Sequence, residues 1–450
     1  MENIIVDNIP PVGRDEDKEK IYFDRILALA LNIGGGLLSC GASVSRVETA
    51  VERVCLAYDA EEVNVFALPS LVMCSIRLRD GGEVSQMKRI YGITNNFGKL
   101  EKFNQLSRDI CSCKYEVSFA QKRFDEINAS PCYKLPVIVA GGGVAAGAFA
   151  VFFGGKLIDS IPSLLIGMLM AYLNILLSRK EFNSYARTFI LSALGGVLSI
   201  VFSRLLALCG ANGNCSMVMT GTIMVVIPGL LVCNAVRDLF AGDIFSGTNE
   251  LMNGLLTTLA IVAGYGASLF LLQGIVDFSQ ADPSNIEQRV GVERYIYLIV
   301  SCIIGSGGFS VMFNCSFKRL AVAMGNIVVT YAVYLVMELL LGTEQLFMNT
   351  LIATVFAAAV AEACARIFKG PSTIFLVPAI IVFVPGGSLY YTLYFLIFGN
   401  AEKAASYGAA ALMIFLGLAV GISIVTALFQ LIYPVKGRLG INRWKNKKRK

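Results

Sequence analysis

Two proline–glycine pairs stand inside apolar runs, Pro228-Gly229 in "VVIPGLL" and Pro385-Gly386 in "VFVPGGS". Proline lacks an amide hydrogen and disrupts the preceding turn, and glycine lets the chain unwind at little cost. A helix carrying such a pair therefore releases several carbonyls and amides from their helical partners. In a hydrocarbon layer those groups are costly unless a cavity, water or a ligand receives them. The chemistry they can do is to bind a small solute through the main chain; the alternative is a kink that serves packing.

Ionisable residues inside or beside apolar runs form the second set. Arg204 and Glu362 lie deepest along their runs, Glu338 and Arg366 nearer run ends, and "RDLFAGD" sets Arg237, Asp238 and Asp243 beside Glu250. A charge at a bilayer centre costs at least about 2.5 kcal/mol, so each is a candidate for an ion or substrate pathway, with a structural salt bridge as the alternative. Glu362 and Arg366 are one helical turn apart and can pair. The chain has no histidine. That excludes a Ser-His-Asp hydrolase and leaves proton coupling to a carboxylate raised by burial, with Glu362 the first choice. Twelve cysteines show no paired CxxC spacing, so neither a metal nor a cofactor is expected. Cys209 and Cys215 flank "GANGN"; they are a bridge if that loop faces an oxidising side, or free thiols acting as small apolar residues.

These candidates need a scaffold, and composition says which kind. Hydrophobic residues make up 56% of the 450 and charged residues only 16%, with a mean hydropathy of +0.66, which indicates a polytopic membrane protein. The charges concentrate in residues 1–134. That segment reads as a water-soluble α+β domain: two amphipathic helices broken at Gly41, three short alternating strands near Pro69 and Gly81-Gly82, and two further helices over 97–112 and 115–129. Ser45 and Glu48 have capping-box spacing, and Arg46, Glu48 and Glu52 lie on neighbouring turns, as a polar cluster or a solvated face. No cleavable signal peptide is expected, because the N-terminus is polar and acidic.

A bilayer core of about 30 Å needs roughly 20 apolar residues per helix. On that ruler the rest divides into ten spans, near 136–153, 159–177, 187–209, 216–236 and 251–275, then 294–313, 319–341, 346–366, 373–398 and 408–433. Residues 135–275 form the first set, 276–293 an extracytoplasmic linker, 294–433 the second set, and 434–450 a basic cytosolic tail. With the N-terminal segment cytosolic, the inner loops and tail hold 16 basic residues and the outer loops four, Lys156, Arg289, Arg294 and Lys403, which places both termini in the cytosol. The ending "NRWKNKKRK" reads as an orientation signal and anionic-lipid contact rather than a nucleic-acid site. In "AGGGVAAGAFAVFFGG", residues 140–155, small residues suit close helix packing; a phosphate loop would need a strand before it and a lysine after it.

The two Pro-Gly pairs fall in the fourth and ninth spans. Thirteen residues past Gly229 comes Gly242, followed by Asp243; thirteen past Gly386 comes Gly399, followed by Asn400. This register points to a duplicated five-helix unit. An odd helix count inverts the second copy, a 5+5 arrangement whose substrate site lies near the midplane where broken helices meet.

The stretches "LLSCGASVSRVETAVERVCLAY", "FALPSLVMCSI", "IPGLLVCNAVRDLFAGDIFSG" and "ARIFKGPSTIFLVPAIIVFVPGGSLYYTL" resemble the threonine/serine exporter family. Residues 22–275 are similar to its larger module and 294–433 to its smaller one, which some members carry as a separate protein. The resemblance implies proton-driven export of small hydrophilic metabolites across the plasma membrane, threonine and serine first, with dicarboxylates such as succinate as the alternative from split relatives. By motif, Gly41, Arg46, Glu48 and Pro69 match the soluble pattern, Pro228, Gly229, Asp238, Gly242 and Asp243 the first membrane pattern, and Arg366, Pro371, Pro385, Gly386 and Tyr390 the second. The stretch "VFVPGG" departs from a pattern often more polar downstream. The expected partners are a small-molecule substrate, protons and lipid, with a homo-oligomer left open and no nucleic acid. A sensor or hydrolase acting through the N-terminal domain, or a passive channel, are the competing classes.

Overall fold

The computed structural model describes residues 15–78, 81–92, 94–113, 115–130, 133–180, 182–211, 213–240, 242–272, 291–397 and 399–432. The expected linker over 276–293 falls largely, and the basic tail wholly, outside them. The chain forms two compact units, parted after Ser130.

In the first unit, α1 (Asp15–Ser39) and α2 (Val44–Ala57) lie on a sheet of β1 (Glu62–Leu68), β2 (Leu71–Arg77) and β3 (Glu83–Arg89), followed by α3 (Phe97–Cys113) and α4 (Val117–Ala129). The strands run antiparallel in the order β1-β2-β3. Alternation buries Val72, Cys74 and Ile76 of β2 on one face, as period 2 requires. Three consecutive glycines let α1 approach three different neighbours. A Cβ at Gly34 would stand 2.5 Å from Val51 of α2, one at Gly35 3.0 Å from Ile90, and one at Gly36 2.9 Å from Phe103 of α3.

The capping box expected of Ser45 and Glu48 does not form. The helix starts at Val44 behind Ser43, so Ser45 lies already inside it, and its carbonyl accepts from the Thr49 hydroxyl. Glu48 reaches instead to the sheet, where Oε1 accepts the Ala67 amide at 3.0 Å. Gly41 holds a left-handed φ of +94° just past α1. Tyr58, at the end of α2, is buried and donates to the Tyr115 carbonyl at 2.7 Å.

The second unit is helical: α5 (Leu135–Phe152), α6 (Leu157–Ser178), α7 (Ser184–Leu208), α8 (Cys215–Ile223), α9 (Gly229–Phe240), α10 (Ile244–Leu271), α11 (Val292–Met312), α12 (Phe317–Leu341), α13 (Leu346–Ile367), α14 (Thr373–Ile380), α15 (Gly386–Ile397) and α16 (Ala401–Ile432). Among the described residues nine helices are long and apolar enough to cross a membrane, or ten if the bent pair Thr373–Phe383 and Gly386–Leu396 is one span. One of the nine, Glu19–Ser39, belongs to the first unit, where Ile26, Ala30, Ile33 and Leu37 are buried. Where no hydrophobic force separates helix from lipid, close packing must hold the helices together, and small residues permit it. A Cβ at Gly308 of α11 would stand 2.7 Å from both the Ala145 nitrogen and the Gly141 oxygen of α5; one at Gly264 of α10 would be 2.6 Å from the Phe189 oxygen of α7; and one at Gly417 of α16 would be 2.9 Å from the Phe347 oxygen of α13. Cys209 and Cys215 are both free thiols.

Backbone cannot yield as a side chain can, so Gly308→Ala is expected to lower the thermal stability of the purified protein by about 1–3 kcal/mol. Gly325→Ala, whose Cβ meets nothing within 4 Å, should leave it unchanged or slightly higher. In the first unit burial, aided by Tyr22 and Cys111, pushes the Tyr58 phenol up to about 12. The unfolded chain loses that proton near pH 10. The contribution is therefore complete below about pH 10 and lost as pH rises through 12, so the stability advantage of wild type over Tyr58→Phe should shrink across that interval in denaturant melts.

Candidate transport site

Both Pro-Gly pairs end one helical segment and start another. Between α8 and α9 the Pro228 carbonyl accepts the Val232 amide at 3.2 Å. In the second break, α14 tightens into a 3-10 turn, Ile381–Phe383, and the Pro385 carbonyl accepts the Leu389 amide at 2.9 Å; the two segments meet at a bend of 43°. Each proline thus stands where a helix cap stands, with glycine first in the new helix. The first amides of α9 and of α15 have no acceptor within their own helices, and a helix start carries roughly half a positive charge.

The two breaks touch. A Cβ at Gly229 would stand 2.1 Å from Val384 Cγ1, and one at Gly386 would stand 2.6 Å from Ile227 Cδ1. Each glycine therefore packs on the residue one place before the other chain segment's proline. Pro228, Gly229, Pro385 and Gly386 are all buried.

Hydroxyl groups surround one side of the crossing. On α8, Thr220 Oγ1 lies 2.6 Å from the Tyr391 hydroxyl of α15, and Thr222 Oγ1 lies 2.9 Å from the Tyr265 hydroxyl of α10. Both threonines also donate to carbonyls of their own helix, Ser216 and Met219. A threonine has one hydrogen to give, so with those bonds made the tyrosines are the donors of each pair. Tyr390, one turn past Gly386, packs its ring on Tyr265, Tyr391 and Tyr394 with centroids 5.2–6.0 Å apart. The other side is held by Asn326 of α12, whose Nδ2 donates to the carbonyls of Ala357 on α13 and Phe375 on α14. Tyr331 and Tyr334 of α12 pack against Phe383 of the break.

The charged candidates lie away from the crossing. Asp238 is buried at the far end of α9, accepting from the Ser246 hydroxyl at 3.1 Å, and Asp243 stands at the start of α10. Glu362 pairs with Arg366 at 2.7 Å along α13, and Arg366 covers the Phe429 ring of α16 at 4.3 Å. Glu362 is partly exposed, its side chain 21% open. Arg204 stands partly buried on α7. Gly41, Ser45, Arg46, Glu48 and Pro69 belong to the first unit.

One enclosed carboxylate escapes sequence reasoning, and so does the partner of Glu338. Asp159 is fully buried and accepts the amides of Lys156 and Asn214, each at 2.7 Å, tying the turn before α6 to the start of α8. Its place in the first turn of an apolar run was the available signal. Glu338, 8% exposed, bonds Arg294 of α11 at 2.8 Å; a partner 44 residues away leaves no local mark.

Apolar helices of spanning length, with the bent pair Thr373–Phe383 and Gly386–Leu396 among them, define a polytopic helical membrane protein. The chain belongs to the threonine/serine exporter family. The model of threonine/serine exporters matches residues 28–272, and a second, "Threonine/Serine exporter, ThrE", matches 298–428. A curated relative, the threonine/serine exporter of Corynebacterium glutamicum, is 27% identical over 254 residues, covering 55% of this chain and 51% of the relative. The chain thus spans about half the length of the curated relative that it matches. No solved structure matches.

The contact at the crossing is testable by energetic coupling. A Cβ at 229 would meet Val384 Cγ1 at 2.1 Å, a methyl fixed on a stiff branched Cβ, whereas one at 386 first meets the terminal Cδ1 of Ile227 at 2.6 Å, which can turn aside, so Gly229→Ala should destabilise more than Gly386→Ala. Adding Val384→Ala should restore the first and Ile227→Ala the second, with coupling energies of about 0.5–3 kcal/mol in thermal melts.

Proposed function

We propose that the protein is a secondary exporter of threonine/serine-type amino acids, a proton-coupled antiporter of the plasma membrane with both termini cytosolic. It works by rocking two inverted five-span repeats, α5 to α10 with α8 and α9 as one broken span and α11 to α16 with α14 and α15 as one, about the crossing of their broken spans. Family membership supports the substrate class. One observation carries the mechanism: the reciprocal contacts Gly229 on Val384 and Gly386 on Ile227. Across a two-fold axis residue i meets j while the copy of j meets the copy of i, and a shift of 157 residues carries Ile227 onto Val384 and Gly229 onto Gly386.

Helix ends repeat in the same way. Left-handed residues follow α5 and α11 (Gly154, Asn314), α7 and α13 (Gly210, Lys369), and α9 and α15 (Gly242, Gly399). The closing bonds match: Gly155 N–H to Ala150 O and Cys315 N–H to Ser310 O, Ala211 N–H to Leu206 O and Gly370 N–H to Ala365 O, Asp243 N–H to Asp238 O and Asn400 N–H to Phe395 O. Gly342 after α12 has no such counterpart after α6 among the described residues. Equivalent Phe149 and Phe309 meet at 5.5 Å, as residues near the axis should.

In this reading the starts of α9 and α15 receive the substrate carboxylate, and the Thr-Tyr hydroxyls face the remainder of a small polar solute. The buried carboxylates Asp238, Glu250 and Glu338 and the partly exposed Glu362 are the groups able to carry a proton. The test is flux in liposomes holding purified protein. Labelled threonine or serine should move against an imposed pH gradient and stop when the gradient is collapsed. Flux of succinate but neither amino acid would reassign the substrate, and folded protein that moves none of the three would overturn the reading.

A further inference from the structure

The first unit contains a cavity of about 640 Å³ that the transport reading leaves unused. It is of a size that takes small organic ligands. Three pieces of chain wall it: one face of α1, the turn after α2, and the junction of α3 with α4. The α1 wall follows from helical spacing. Its other side is buried, which leaves Tyr22, Arg25 and Ala28, at i, i+3 and i+6, facing outward with the small Ala28 forming a recess. The Tyr58 hydroxyl, bonded to the Tyr115 carbonyl, ties the other two walls together.

Arg25 and Glu116 both line this cavity, from α1 and from the α3–α4 junction. Among the described residues neither side chain has a hydrogen-bond or ion-pair partner, whereas elsewhere in the unit opposite charges do close on each other: Arg77 with Glu62 at 3.4 Å and Arg123 with Glu126 at 3.0 Å. A cation and a carboxylate that share a cavity without pairing complement a molecule bearing both charges. The rings of Tyr22, Tyr58 and Tyr115 supply apolar walls and π-faces suited to an ammonium group.

We propose that this cavity binds a small zwitterion, in the range from a free α-amino acid to a dipeptide, with its carboxylate on Arg25 and its ammonium on Glu116. The site is separate from the crossing of the broken helices and stands whether or not that crossing transports. It gives the first unit a ligand of its own, and hence a means of sensing zwitterions on whichever side of the membrane it occupies.

Equilibrium dialysis of the detergent-purified full chain tests it, with labelled L-threonine, L-serine and seryl-serine as probes. A pair of charge-assisted bonds should be lost in Arg25→Gln or Glu116→Gln, weakening one bound molecule per chain by tenfold or more. Ala28→Phe, which fills the recess from an exposed position, should remove the same molecule. N-acetyl-threonine amide, which lacks both charges, should not compete. Unchanged affinity and stoichiometry for every probe in all three variants would overturn the proposal, as would absence of any binding that these variants alter.

Discussion

A peptide group that leaves its helix inside a hydrocarbon layer must find another partner, because neither lipid nor apolar side chains can supply one. That constraint organises the second unit. Pro-Gly pairs interrupt the helical path before α9 and before α15, and the two interruptions are packed against each other, with Val384 on Gly229 and Ile227 on Gly386. Glycine is required on both sides for two reasons at once: it lets the backbone turn into the new helix, and it lets the opposing aliphatic side chain approach to where a Cβ would be. The surrounding polar side chains then serve the breaks. Asn326 satisfies two carbonyls on separate helices, and the threonines of α8 meet tyrosines from α10 and α15.

Packing elsewhere keeps this crossing in place. Gly308 brings α11 onto α5 backbone to backbone, and Gly264 and Gly417 do the same for α10 on α7 and α16 on α13. Asp159, enclosed and bonded to two amides, fixes the entrance to α8 from the neighbouring turn. Ion pairs Arg294–Glu338 and Arg366–Glu362 stand toward helix ends, where the guanidinium can keep contact with water while its partner is the less exposed of the two.

The elements themselves were legible because they depend on local signals. The alternating runs give the three strands, the long apolar runs give the helices, and proline followed by glycine inside such a run marks each break. What stayed hidden depends on distance along the chain. Ser45 and Glu48 have the spacing of a cap, but the Ala67 amide, 19 residues on, takes the carboxylate instead. Glu362 sits far along its run yet is partly exposed, while Asp159, near a run's start, is fully enclosed; a linear pattern shows position along a helix and not which face is covered. That the breaks pack on each other leaves no local mark either, because Val384 and Gly229 lie far apart along the chain.

The central claim is that contact between the two breaks must open and close for solute to pass. In a background with the native cysteines replaced, Ile227→Cys with Gly386→Cys would place the pair in reach: the Cβ built at 386 lies 3.1 and 3.2 Å from the two carbons borne on Ile227 Cβ, positions that a cysteine sulfur would take, and a disulfide sets each sulfur about 3 Å from the opposite Cβ. Oxidation should join them and stop amino-acid flux in liposomes, and reduction should restore it. A joined protein that still transports at the reduced rate would contradict the account.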